Sequence, residues 1–248
     1  MPTCASLHAS SGKIYIAEKG GSIKVASNNM STSANLAMTL AVPNLATQGN
    51  LGLTSVLATN GWLYVTYTTF VNTETSECSD TGVNAGIRVA SSVLGCPTTG
   101  VLARFPLSAD GSLSPVATSD ILIGGPADVA LHRPCAQFTD LGINSVVSGP
   151  DGALYVSTGV GAHETTLDVG QYGGDPCSSG IVGAKGGHFR AQDTTSWSGK
   201  ILRVVVGDAP GSTPAVTVFA SGLHDPWRTT WVGSNLVVID TSGAFFLR

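Results

Sequence analysis

A pair of glycine-led or polar-led apolar strands recurs four times along this chain, and that recurrence limits the fold more than any other feature. "GKIYIAE" (12–18) is followed by "GSIKVAS" (21–27), and "GWLYVTYT" (61–68) by "GVLARFPL" (100–107) after a long loop. "GALYVSTG" (152–159) precedes "GKILRVVV" (199–206), and "SNLVVIDT" (234–241) precedes "GAFFLR" (243–248). β-Branched and aromatic residues bounded by Gly, Pro, Asn and Asp are strand chemistry. A further candidate strand stands before each pair: "CASLHAS", "GLTSVLAT", "NSVVSG" and "RTTWVG". Another follows the first three pairs: "AMTLAVP", "VATSDILI" and "AVTVFAS". No 12-residue segment combines apolar side chains at helical spacing with helix caps.

Four-stranded units in series are the signature of a β-propeller, in which radial repetition protects the sheet edges. A sandwich predicts no likeness between units, and a β-helix predicts a shorter period. The expected fold is all-β, a β-propeller with four-stranded antiparallel blades. Its blades are expected at about 4–43, 51–123, 144–221 and 226–248, in a single partial domain over 1–248. The fourth unit stops on its third strand, at Arg248. A propeller closes by pairing strands from both chain ends, so four blades of a six-bladed wheel are expected here.

Composition narrows the partners. The 12 basic and 16 acidic residues give a net charge of −4 with no basic cluster, so nucleic-acid binding lacks its electrostatic footprint. No apolar run approaches the roughly 18–20 residues needed to span a bilayer. The five cysteines are expected in loops, and none has the CxxC spacing of a zinc or redox site. Two loop-closing disulfides drawn from Cys78, Cys96, Cys135 and Cys177, with Cys4 left over, imply an extracellular chain. The alternative is five inert thiols in a reducing compartment. The chain opens "MPTC", without a signal peptide, so a secreted protein is expected to have had its leader trimmed or missed by the gene model.

The order "GPDGALYVSTGVGA", "DVGQYGGDPC", "FRAQDTTSWSGKILRV", "FASGLHDPWR" between Leu141 and Arg228 resembles the soluble quinoprotein glucose and sorbosone dehydrogenase family. "GKIYIAEKGGSIKV" and "QGNLGLTSVLATNGWLYVTYT" are similar to its first two blades. The resemblance implies a six-bladed propeller that binds pyrroloquinoline quinone (PQQ) and calcium at the mouth of its channel and oxidises an aldose or related sugar. Such chemistry needs a base for the anomeric proton, an acid to orient that base, and cations for the quinone carboxylates.

The resemblance places the base at Leu141 and the supporting acid at Val160. Neither side chain can exchange a proton, so the chain is expected to be impaired as a dehydrogenase. Where the family reads "GLRNP", this chain reads "GLHDPWR", which puts His224 and Asp225, with Arg228 close behind, at the cofactor-contacting segment. Gln48 and Trp227 are the sugar-contacting candidates. The alternative function is a catalytically inactive extracellular module that binds a sugar, a surface glycan or another partner.

Other constellations read as structure. His163, Glu164 and Asp168 are expected to be loop polar residues, and "HETTL" lacks the second histidine of a zinc protease motif. Ser10-Ser11-Gly12-Lys13 matches SxxK by letter only, at a strand turn. No DxDxDG calcium loop occurs, and Asp110 and Asp151 are expected to serve turns. Trp231 falls in a strand pattern and is expected in the core.

Overall fold

The computed structural model describes residues 1–27, 35–39, 45–47, 49–70, 98–113, 119–125, 128, 134–136, 141–161, 189–194, 196–241 and 243–247. These residues form four antiparallel sheets in chain order. The first contains β1 (Pro2–His8), β2 (Lys13–Glu18), β3 (Ser22–Ser27) and β4 (Asn35–Thr39). The second contains β5 (Leu53–Thr59), β6 (Trp62–Phe70), β7 (Thr98–Pro106) and β8 (Asp120–Ile123). A two-residue strand, β9 (Cys135–Ala136), pairs with β7 and makes this sheet five-stranded. Its period-free pair of residues carries no alternation to betray it in the sequence.

The third sheet contains β10 (Ile143–Ser148), β11 (Leu154–Thr158), β12 (Lys200–Val205) and β13 (Ala215–Ser221). One helical turn, α1 (Phe189–Gln192), lies between β11 and β12. The fourth sheet has three strands, β14 (Pro226–Val232), β15 (Asn235–Asp240) and β16 (Gly243–Leu247).

The first strand of each sheet is the contact strand: β1 packs on β5, β5 on β10, and β10 on β14. The sheets therefore fan outward from these four strands. Short hydrogen-bonding side chains fill the space between them. Thr3 donates to the Leu53 carbonyl at 2.7 Å, and the Ala58 amide donates to Ser6 at 3.0 Å. Thr54 donates to the Ile143 carbonyl at 2.9 Å, and the Ser145 and Thr229 hydroxyls meet at 3.1 Å. Each bond satisfies a polar group that burial would otherwise penalise.

Away from the hub, adjacent sheets are held face to face by apolar layers. Tyr15, Ala17 and Ile23 pack on Leu53, Val65 and Val101 between the first two sheets. Tyr64, Leu102 and Ile123 meet Ile143, Val156 and Leu202 between the second and third. Tyr155 and Ile201 meet Leu236 and Val238 between the third and fourth, with Trp231 edge-on to Tyr155 at 4.9 Å. Each of the larger aliphatic side chains contributes about 1.5–3 kcal/mol on burial. The inner strands of the middle sheets are covered on both faces, so β11 is buried at every position and β6 at all but one. In β2 and β15 fully buried positions alternate with less buried ones, as one-sided burial requires.

One buried cation ties the second sheet to the third. Arg104, 1% exposed, stacks 3.9 Å from the Trp62 ring centroid and donates to Asp120 at 3.1 Å. It also donates to the Gly207 and Ala209 carbonyls at 2.8 and 2.7 Å, in the segment joining β12 to β13.

Burial pushes the Tyr67 hydroxyl from 10.0 up to about 12, and Tyr15 and Tyr64 are raised in the same direction, chiefly by burial. A raised folded-state value means the unfolded chain loses its phenolic protons first. Stability supplied by these groups is complete below pH 10.0 and is lost as pH climbs toward about 12. Circular dichroism against pH is expected to show unfolding in that window, and Tyr67→Phe is expected to retain more structure there.

Candidate functional site

The site lies where the segment before β10, the end of β11, α1, the start of β12 and the approach to β14 converge. Leu141 stands just before β10 with φ 57°, a left-handed conformation that costs a branched residue roughly 1–2 kcal/mol. Backbone bonds surrounding it hold that conformation. The Gly161 amide donates to the Leu141 carbonyl at 3.0 Å, and the Gly159 amide to Gly142 at 2.7 Å. A Cβ on Gly159 would collide with the Leu141 backbone. Gly199 donates to Gly159 at 2.9 Å, and the Val160 amide donates to the His224 carbonyl at 2.9 Å.

Inside this mesh Leu141 (2% exposed), Val160 (0%) and Ala191 (0%) form one apolar cluster. The structure thus brings together the two positions at which the resemblance implies a base and an acid. Their side chains touch hydrocarbon.

Lys200, also fully buried, secures the neighbouring turn. Its Nζ donates to the carbonyls of Arg190, Ala191 and Ser198, each at 2.8 Å. The first two end α1, where a cation satisfies orphan carbonyls and opposes the negative helix end. Sequence reasoning assigned Lys200 to a strand and missed its role. The signal was there: a lysine among apolar residues in "SGKILRV" must find acceptors if it faces inward.

His224 and Asp225 come to the same region and are organised by a residue the sequence reading passed over. The Asp240 carboxylate accepts the amides of His224 and Asp225 at 2.9 and 3.0 Å. The His224 ring lies 2.9 Å from the Thr241 hydroxyl through Nδ1. Asp225, 2% exposed, accepts from Asn144 Nδ2 at 2.6 Å, which links the third sheet to the fourth. Asp240 closes the apolar strand "NLVVID", and Asn144 opens "NSVVSG"; both are polar residues at the start or end of an apolar strand.

Arg228 points along the hub. It donates to the Thr3 carbonyl at 2.6 Å and to the Trp227 carbonyl at 2.7 Å, and its guanidinium sits 4.8 Å from the half-buried Trp227 ring centroid. Burial pulls the Arg228 guanidinium below its ordinary value, while the nearby Cys4 and Asp225 act in the opposite direction. Cys4 is a free thiol and Cys135, buried in β9, is disulfide-bonded. Gln48, Cys78, Cys96, His163, Glu164, Asp168 and Cys177 lie outside the described residues. Asp110 and Asp151 cap turns, accepting the Ser112 and Ala153 amides at 2.9 and 3.2 Å.

No family model matches the sequence, and no curated protein matches it. Its structure is similar to the PQQ-bound form of an aldose sugar dehydrogenase from Streptomyces coelicolor. That likeness has 15% identity and a TM-score of 0.55, covering 96% of this chain and 55% of that one. A soluble aldose sugar dehydrogenase from Escherichia coli, in its apo form, is similar at 14% identity and a TM-score of 0.53. It is matched over 56% of its length and 96% of this chain. The fold is a β-propeller. The chain spans a little over half the length of both dehydrogenases.

PQQ, bound in the first of these neighbours, carries carboxylates that cations can hold. In this propeller Arg228 is committed to two carbonyls, Lys200 to three, and the buried Asp225 adds a negative charge. Among the described residues, no group of three or more His, Cys, Asp or Glu side chains is arranged to hold a metal ion, and no helix is long and apolar enough to cross a membrane.

Placing a carboxylate in the apolar cluster tests how closed it is. Val160→Asp is expected to destabilise the propeller by about 3–5 kcal/mol at neutral pH, since it puts a charge into an apolar cluster. Burial would raise the new carboxyl above its unfolded value, so the loss should shrink as pH falls through that raised value. Urea unfolding at neutral and acidic pH reads both effects.

Proposed function

We propose that this chain is a sugar-dehydrogenase-like propeller that does not oxidise aldoses at its hub and acts as an extracellular carbohydrate-binding or interaction module. The observation that carries this reading is the Leu141–Val160–Ala191 cluster. General base catalysis is worth about 10²–10⁴-fold, and it needs an acceptor within hydrogen-bond reach of the departing proton. Two buried aliphatic side chains supply none, and the left-handed turn at Leu141 holds its backbone in place.

The commitments of Arg228 and Lys200 support the same reading, because a quinone would have to compete with carbonyls already bonded to them. The disulfide at Cys135 supports an oxidising compartment. Two disulfides drawn from Cys78, Cys96, Cys135 and Cys177 are part of the proposal. A second reading, PQQ-dependent aldose oxidation with calcium, is favoured by the likeness to a PQQ-bound aldose sugar dehydrogenase. It would place His224, Asp225 and Arg228 at the cofactor and Gln48 and Trp227 at the sugar.

Purified protein mixed with PQQ and calcium separates the two readings. We expect no cofactor absorbance retained after desalting, and no dye reduction with glucose, galactose or xylose. Retained absorbance together with sugar-dependent dye reduction would overturn the proposal in favour of the second reading.

A further inference from the structure

A cleft of about 580 Å³ runs along β8, between the outer strand of the second sheet and the segment joining β12 to β13. Asp120, Ile121 and Asp128 form one wall, Ser212 and Thr213 another, and Trp197 contributes the aromatic surface. Among the described residues that line it, two are carboxylates and none is a lysine, arginine or histidine.

The wall at Asp120 is preorganised. Arg104, stacked on Trp62 and 1% exposed, donates to Asp120 Oδ2, and the Gly211 amide donates to the same oxygen at 2.9 Å. Both bonds fall on one oxygen, so Oδ1 of a carboxylate that is 18% exposed is left as a fixed acceptor. Ser212 spends its proton on the Ala209 carbonyl at 2.6 Å, so its oxygen also has lone pairs to offer. A ligand for this surface must therefore donate hydrogen bonds at one edge. It must also present apolar area to Trp197, Pro214, Val216 and the exposed Ile121. A pyranose ring does both, with hydroxyls around its rim and C–H groups on its faces.

We propose that this cleft is a saccharide-binding subsite. Asp120 accepts from ring hydroxyls, and Trp197 with Ile121 walls the apolar face. The subsite is lined by β8 and the segment joining β12 to β13, and it needs neither a quinone nor an anomeric hydroxyl. It therefore deepens the binding-module reading without depending on how the hub behaves.

The probes are methyl β-glucoside, methyl β-galactoside and methyl α-mannoside, whose blocked anomeric carbons make them inert to a sugar dehydrogenase. Saturation-transfer NMR and calorimetric titration are expected to show binding of at least one, with a dissociation constant on the order of 1 mM for so small a ligand. Thr213→Arg, at an exposed rim position, is expected to weaken that binding by about tenfold or more with an unchanged melting temperature. Asp120→Asn, which keeps an acceptor for Arg104, is expected to weaken it as well. Absence of saturation transfer from all three glycosides would overturn the subsite, and so would binding that Thr213→Arg leaves unaltered. Dye reduction with free aldoses would overturn the hub reading alone and leave this result standing.

Discussion

Strands from four sheets can approach one axis only where the side chains between them are short and polar enough to bond across the gap. The first strands of the sheets meet that condition with Thr3, Ser6, Thr54, Asn144, Ser145 and Thr229. Longer apolar residues are displaced outward, where the sheets diverge and the space between them widens. Tyr15, Tyr64 and Tyr155 fill that wider space. The hub and the three apolar layers are thus two consequences of one geometry.

The candidate site inherits its shape from the same convergence. A turn before β10, a turn after β11 and the approach to β14 reach the hub from different sheets, and backbone hydrogen bonds knit them directly. Such a mesh leaves little freedom for side chains that must move or exchange protons. Asp240 and Lys200 complete it by satisfying amides at one turn and carbonyls at another. Charged groups here hold the backbone, and Leu141, Val160 and Ala191 pack as one apolar cluster.

Much of the fold was legible because glycine-led turns and period-two alternation mark strands locally. "GKIYIAE" reads directly as β2 and "SNLVVIDT" as β15, each with buried and more exposed positions in alternation. The two-residue β9 left no such trace, since Cys135 and Ala136 are too few to alternate. Within the site, Leu141 and Val160 were singled out by the resemblance, through their places relative to the "GPDG" turn and the glycine-rich loop. Lys200, Asn144 and Asp240 were not, because their partners stand in other elements and only the folded backbone brings them near. Asp120 was hidden for the same reason: its acceptor role depends on Arg104 and on an amide 91 residues away.

The uneven covering of the sheets bears on how this sequence can drift. Positions in β6 and β11 are enclosed from both sides, so nearly every replacement there must respect volume and polarity at once. On β13, the outer strand of the third sheet, the exposed Val218 accepts change at little cost. Sequence drift is therefore expected to run faster at such outer-strand positions than in the enclosed inner strands, leaving the hub undisturbed.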